Sequence, residues 1–206
     1  MTPKEEHAAR LAEVVARGAA PGHVPVHRWY LRHDEPWTVP LPAERADASL
    51  VRAQHCTVAF YRFLYDTVGH DWLWGEMRRA SDEAIAARLR EPGNRVHYLA
   101  AEGTPAGFVE VRTGDEETEL AYVGLMPGFA GRGLGRWMLS AAIHETLRDC
   151  RGAMTINTCT TDSAAGLALY RSLGFHVTHE TDFEERDPRA DGLIARDVHP
   201  AIPLAI

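Results

Sequence analysis

Between residues 124 and 137 the chain reads GLMPGFAGRGLGRW, a corner dense in glycine placed directly ahead of a run with helical spacing. Gly131, Gly133 and Gly135 alternate with Arg132, Leu134 and Arg136. Lacking Cβ atoms, glycines let successive backbone N–H groups converge on one point. The start of the following helix adds the positive end of its dipole, and two guanidiniums add charge-assisted contacts. That chemistry is phosphate binding; on glycine spacing alone, a plain strand-to-helix turn fits as well. A dinucleotide fingerprint beginning at Gly131 would need glycine where the chain has Arg136, and a nucleotide P-loop would need a lysine that this corner lacks.

The elements that must hold this corner follow from the pattern around it. Thr2-Pro3-Lys4-Glu5 stands in capping-box order, and Leu11, Val14 and Val15 give a helix an apolar stripe up to Gly18. From Gly22 to Pro42 the chain is rich in proline and histidine, with VPVHRWYL as a strand and EPWTVPLP as a loop. Val51, Val58 and Phe63 predict a second helix from about Ala46 to Asp66, broken by VGHDWLWGEMRR; Ser81-Asp82-Glu83 then caps a third ending near Arg90. RVHYLAAEG, TPAGFVEVRTGD and TELAYVGLMP are three β-rich runs in an antiparallel meander. After the glycines, apolar residues at 134, 138, 139, 142, 143 and 147 mark a helix, AMTINTCT a strand, SAAGLALYRSLG a helix and FHVTHETDF a strand. The tail from Glu184 shows no period. The order predicts a mixed α/β architecture on one sheet, and 206 residues suit a single domain.

Composition narrows the partners. A formal net charge of −7 argues against a nucleic-acid binder and mildly favours a cationic partner. Cys56, Cys150 and Cys159 show no metal-ligand spacing and read as reduced thiols, and none of the 11 histidines forms an HExxH pair, so no metal site is expected. The start lacks a basic stretch followed by an apolar run, and no apolar stretch reaches about 18 residues, so the chain reads as cytoplasmic, with no membrane partner. Lysine occurs once, at Lys4 near the terminus, which removes a Schiff-base lysine from consideration.

LMPGFAGRGLGRWML resembles the central motif of the GNAT superfamily of N-acetyltransferases, Val-x-Pro followed by Arg/Gln-x-x-Gly-x-Gly/Ala. AAGLALYRSLGF is similar to that superfamily's later motif, Ala-x-x-Leu-Tyr-x-x-x-Gly-Phe, and the two stand in the right order, one helix and one strand apart. The resemblance covers roughly residues 50 to 180. Ala130 stands at the Arg/Gln position, and Ser163, preceded by Asp162, where asparagine is expected. The implied fold is a mostly antiparallel sheet splayed after the fourth strand and flanked by helices. Residues 1–45 would be an N-terminal helix and extension, 46–183 the acetyltransferase core and 184–206 an irregular tail.

The resemblance implies direct acyl transfer from acetyl-CoA to an amine. Backbone of Val123, Gly124 and Leu125 would lie along the pantetheine arm, the amide of Leu125 or its neighbour would polarise the thioester carbonyl, and Ser163 would bond pantetheine. The loop of Gly131, Arg132, Gly133, Leu134, Gly135 and Arg136 would cradle the pyrophosphate. Glu119 matches the glutamate base of histone-type members, six residues before Leu125; even spacing puts both side chains on one strand face. Glu110 is the runner-up, since a carboxylate in a central strand needs a reason to be there. Tyr170 is the expected general acid toward the departing thiolate, with a packed aromatic as the plain alternative. An acyl-cysteine on Cys159 has no histidine beside it. The acceptor pocket would come from the first two helices and their loop, where Tyr61, Tyr65, Trp72 and Trp74 could grip an apolar or cationic amine, or simply form core.

The leading expectation is an acetyl-CoA-dependent N-acetyltransferase acting on a small-molecule or peptide amine. Its rivals are a CoA-binding module without transfer activity, and an acyltransferase using a longer acyl chain or an oxygen acceptor. The N-terminal helix and the tail lie outside the resemblance and would cap the acceptor side or form a homodimer contact.

Overall fold

The computed structural model describes residues 1–34, 38–147 and 152–205. Part of the EPWTVPLP loop, with Trp37, and Cys150 lie outside the described residues. In chain order the elements are α1 (Pro3–Arg17), β1 (His23–His33), β2 (Ala48–Arg52), α2 (Val58–Val68), a 3-10 turn (Gly69–Asp71) and α3 (Glu76–Arg79). There follow α4 (Asp82–Arg90), β3 (Asn94–Ala101), β4 (Thr104–Thr113), β5 (Glu117–Leu125), α5 (Leu134–Thr146), β6 (Ala153–Cys159), α6 (Ala165–Ser172) and β7 (His176–Arg186). The capping box forms as expected: the Thr2 hydroxyl accepts from the Glu5 N–H, and the Glu5 carboxylate takes the Thr2 N–H. Thr57 and Ser81 cap α2 and α4 in the simpler way.

One expected helix is corrected. The second helix starts at Val58 rather than near Ala46, and Ala48–Arg52 is a strand paired antiparallel with Ala101–His97. Ala48 and Leu50 alternate as well with a period of two as with a helical one, and both pack on the core. The Thr57 cap fixes where the helix begins.

Among the described residues seven strands form one sheet in the order β2-β3-β4-β5-β6-β1-β7. All neighbours are antiparallel except β5 and β6, which the α5 crossover makes parallel. That parallel pairing covers only Glu117–Leu120 against Ala153–Ile156, so the strands part beyond it. The splay follows the strand TELAYVGLMP, as expected; with Ala48–Arg52 counted, that strand is fifth in the chain.

Helices α5 and α6 cover one sheet face over a core that includes Leu31, Val109, Leu120, Met138 and Ile143. The α2–α4 segment covers the other over Tyr61, Leu64, Ile85 and Phe108. A third cluster joins Val24, Val26, Leu73 and Ile202 with Leu11 of α1 and Val198 of the tail. The tail therefore packs on the segment that carries Leu73.

A β-bulge in β5 decides which side chains meet. Glu110 pairs with Tyr122 and Val111 with Leu120, leaving Ala121 as the extra residue. Leu120, Val123 and Leu125 consequently share the α5/α6 face, while Tyr122 packs on the α2–α4 side. Glu119, next to Leu120 and opposite Arg112, therefore faces with Tyr122 and not with Leu125. The expected sharing of a face by Glu119 and Leu125 does not hold, because alternation restarts at the bulge.

Candidate active site

The gap between β5 and β6 becomes a cleft of about 580 Å³, with Ala121–Leu125 on one wall and Asn157–Cys159 on the other. Each wall keeps its outer edge paired, to β4 and to β1 respectively, so the opening is framed by ordered strands. Cavities of this size take an extended small molecule.

At one end the chain turns through Ala130–Arg136 into α5. Gly131 and Gly133 adopt φ of +77° and +74°, which only glycine takes without strain. A Cβ at either would meet no atom within 4 Å, so the loop borders open space. Helix α5 begins without a side-chain cap, and the amides of Gly131 and Gly133 donate to no backbone acceptor among the described residues. Free amides at the positive end of a 13-residue helix suit a diphosphate. Arg136 lines the cleft and donates to Ser172 Oγ at 2.5 Å. The Arg132 side chain instead pairs with Glu102, its guanidinium 5.5 Å from the Phe129 ring centroid, and Leu134 is buried in the core. These two residues leave only backbone to the loop.

The middle of the cleft carries Tyr170, Cys159 and Ser163. Tyr170 is nearly buried. Burial, then the Asp162 carboxylate and Cys159, push its phenol up, so it holds its proton at neutral pH. Burial and Asp162 also push the Cys159 thiol up to about 12, and Arg28 Nε donates to its Sγ at 3.0 Å. A neutral, enclosed thiol is no nucleophile. Ser163 Oγ accepts the Ala165 N–H at 3.3 Å at the start of α6.

The other end is aromatic and acidic. Tyr65, Trp72, Trp74 and Tyr122 line it with Glu76, Glu119, Asp162 and Glu185. Trp74 Nε1 donates to Asp162 Oδ1 at 2.8 Å, while Asp162 Oδ2 accepts the Cys159 N–H at 2.9 Å, so one carboxylate ties the indole to the end of β6. The Tyr122 hydroxyl donates to Glu76 at 2.5 Å. Glu119 lies 3.5 Å from Arg112, its side chain 37% exposed and open to water. Gly124 lets this wall close: a Cβ there would lie 2.3 Å from Val68 Cγ1.

The structure thus gathers most of the expected residues in one cleft: Glu119, Val123, Gly124, Leu125, Gly131, Gly133, Gly135, Arg136, Ser163, Tyr170, Tyr65, Trp72 and Trp74. Tyr61 and Glu110 are corrected, since neither lines it. Both are fully buried behind the wall, where Tyr61 donates to Glu110 Oε2 at 2.5 Å and Arg88 Nε to Oε1 at 2.6 Å. With both oxygens engaged and no exposure, Glu110 anchors α2 and α4 to the sheet and has no access to a substrate proton. Sequence reasoning passed over Asp162, Glu76, Tyr122 and Arg28.

Comparison with known proteins agrees with this geometry. Residues 58–175 match the family model described as acetyltransferase (GNAT) family. The chain is 38% identical over 98 residues to the N-alpha-acetyltransferase RimI of Mycobacterium tuberculosis, covering 45% of this chain and 58% of that protein. Among solved structures, a GCN5-related N-acetyltransferase from Sphaerobacter thermophilus aligns with a TM-score of 0.62 at 14% identity, over 86% of this chain and 55% of that one. The ribosomal-protein-S18-alanine N-acetyltransferase from Escherichia coli aligns with a TM-score of 0.50 at 21% identity, over 63% of this chain and 77% of that one. The chain thus matches little more than half the length of the RimI relative, and the structural likenesses speak for the fold. A splayed sheet, a glycine turn opening α5 and a family model spanning 58–175 together place this chain in the acetyltransferase (GNAT) family.

Proposed function

We propose that this chain is an acetyl-CoA-dependent N-acetyltransferase whose acceptor is a primary amine, preferentially the α-amine of a peptide. The observation that carries this reading is one cleft with open amides at the Gly131–Arg136 turn and an acidic, aromatic wall opposite. The RimI relative, whose name denotes an N-alpha-acetyltransferase, supports the peptide amine.

Acetyl-CoA supplies an activated acyl group on a thioester. Amides of Gly131–Gly135 would hold its diphosphate, and the free stretch of β5 would align the pantetheine arm by backbone pairing. An amide at Leu125 or its neighbour would face the developing oxyanion. The incoming amine arrives largely protonated and must lose a proton. Glu119, on the acceptor side and reached by water, serves as base, directly or through one water. Tyr170, protonated and buried, donates to the departing sulfur.

The test follows free CoA release across a panel of small amines and short peptides. Wild type should turn over at least one peptide, and Glu119→Gln should lower kcat more than about ten-fold at pH 7 with acetyl-CoA affinity kept. Silence across the whole panel despite CoA binding would instead favour a binding module.

A further inference from the structure

A second cavity, of about 1070 Å³, opens beside the cleft between the Gly69–Asp71 turn and the C-terminal tail, and Trp72 lines both. Its apolar lining includes Leu193, Ile194, Val198 and Pro200. Three carboxylates, Asp66, Asp71 and Asp197, stand in the lining against one guanidinium, Arg78. Arg78 and Asp66, 3.0 Å apart, cancel each other's charge, and Arg78 also donates to the carbonyls of Asp66 and Trp74, which leaves Asp71 and Asp197 as the acidic groups. Asp71 meets only His70, and Asp197 makes no ion pair among the described residues. Burial holds the imidazole of His199 below its usual value, so it adds no positive charge at neutral pH. The groove therefore combines unneutralised carboxylates with an apolar lining.

The tail that forms this wall is built, not frayed. Arg189 and Asp187 are a wholly buried ion pair at 2.8 Å, with side-chain exposures of 1% and 0%. The guanidinium also donates to the carbonyls of Val198 and Ile202 at 3.1 and 2.8 Å. Burying such a pair is costly for stability alone and is better explained by the shape it fixes. Asp191, held by Arg186, also accepts from Arg79 Nε at 2.9 Å, clamping the tail to α3. His199 takes a left-handed φ of 53°, unusual outside glycine, with its ring 5.9 Å edge-on to Trp72.

We propose that this groove receives the polypeptide that follows the acceptor's α-amine, and selects basic side chains there. The inference rests on the acetyltransferase reading and names its substrate class: a peptide amine with Lys or Arg in the positions after the first residue. Trp72 would mark the passage, with the amine on the cleft side and the chain continuing over Leu193 and past Asp197. Small amines would use the cleft alone.

The test is a kinetic series from a single-residue amide to six-residue peptides, each longer peptide with either Lys or Glu after the first position. It is run on wild type, Asp197→Arg and Leu193→Asp, all surface positions. Binding of the unacetylated peptides to the CoA complex is titrated in parallel. Expected is a KM that falls at least about ten-fold with length for the Lys peptides in wild type. Asp197→Arg should reverse the Lys-over-Glu preference and Leu193→Asp should remove the length effect, both keeping wild-type rates on the single-residue amide. Equal kcat/KM at all lengths and charges, with the short amide well acetylated, would overturn the groove and leave the acetyltransferase reading standing. If no amine is acetylated, that reading falls; the groove falls with it unless Lys peptides still bind and Asp197→Arg weakens them.

Discussion

Tyr61 and Glu110 show what a residue type can hide. A carboxylate inside a central strand looks catalytic, yet here it is an internal anchor with both oxygens bonded. Tyr61→Phe should leave Glu110 one buried bond short and cost about 1–3 kcal/mol. Denaturant unfolding should show that loss, with KM for acetyl-CoA unchanged; unaltered stability with lost turnover would return Tyr61 to the site. The glycines at 131 and 133 were legible because no other residue takes their φ freely. Asp162 was not, because Trp74, its partner across the cleft, stands 88 positions away and only the fold unites them.

At the scale of elements, the end of the β5–β6 pairing makes the cleft and the bulge at Ala121 decides which side chains enter it. Meander, crossover helix and last strand could be read from period and turn signals. The edge strand Ala48–Arg52 could not, since five residues satisfy two periods at once. The bulge leaves no mark in the sequence, so alternation carried across it assigned Glu119 the wrong face. Gly124 follows the bulge where β5 touches α2. In Gly124→Val the Cβ, built 2.3 Å from Val68 Cγ1, should force β5 or α2 outward. The expected result is a stability loss of about 1–3 kcal/mol, with acetyl-CoA binding weakened in the same variant. A variant as stable and as tightly binding as wild type would show that the wall has room to give.

For the whole molecule, buried histidines link stability to pH. His7, 4% exposed, donates its Nε2–H to the Cys159 carbonyl at 3.2 Å, and burial holds its imidazole below the ordinary 6.5. The unfolded chain then binds the proton more readily. This contribution is complete above about 6.5 and is lost as pH falls from there through the lower folded value. Wild type should therefore lose more stability between about pH 7.5 and 5.5 than His7→Gln, measured by urea unfolding; parallel profiles would contradict the burial effect. The tail, without period in sequence, is held by a buried ion pair and by Ile202 in the third core cluster. Those contacts span distant positions and cannot be read locally. No helix among the described residues is long and apolar enough to cross a membrane. The central claim is that free amides at the Gly131–Arg136 turn grip the diphosphate of acetyl-CoA. Calorimetric titration with acetyl-CoA and with acetyl-pantetheine, which lacks that diphosphate, tests it most directly. Expected is saturable binding of acetyl-CoA and at least about ten-fold weaker binding of the truncated thioester; equal affinities, or no heat with acetyl-CoA, would contradict it.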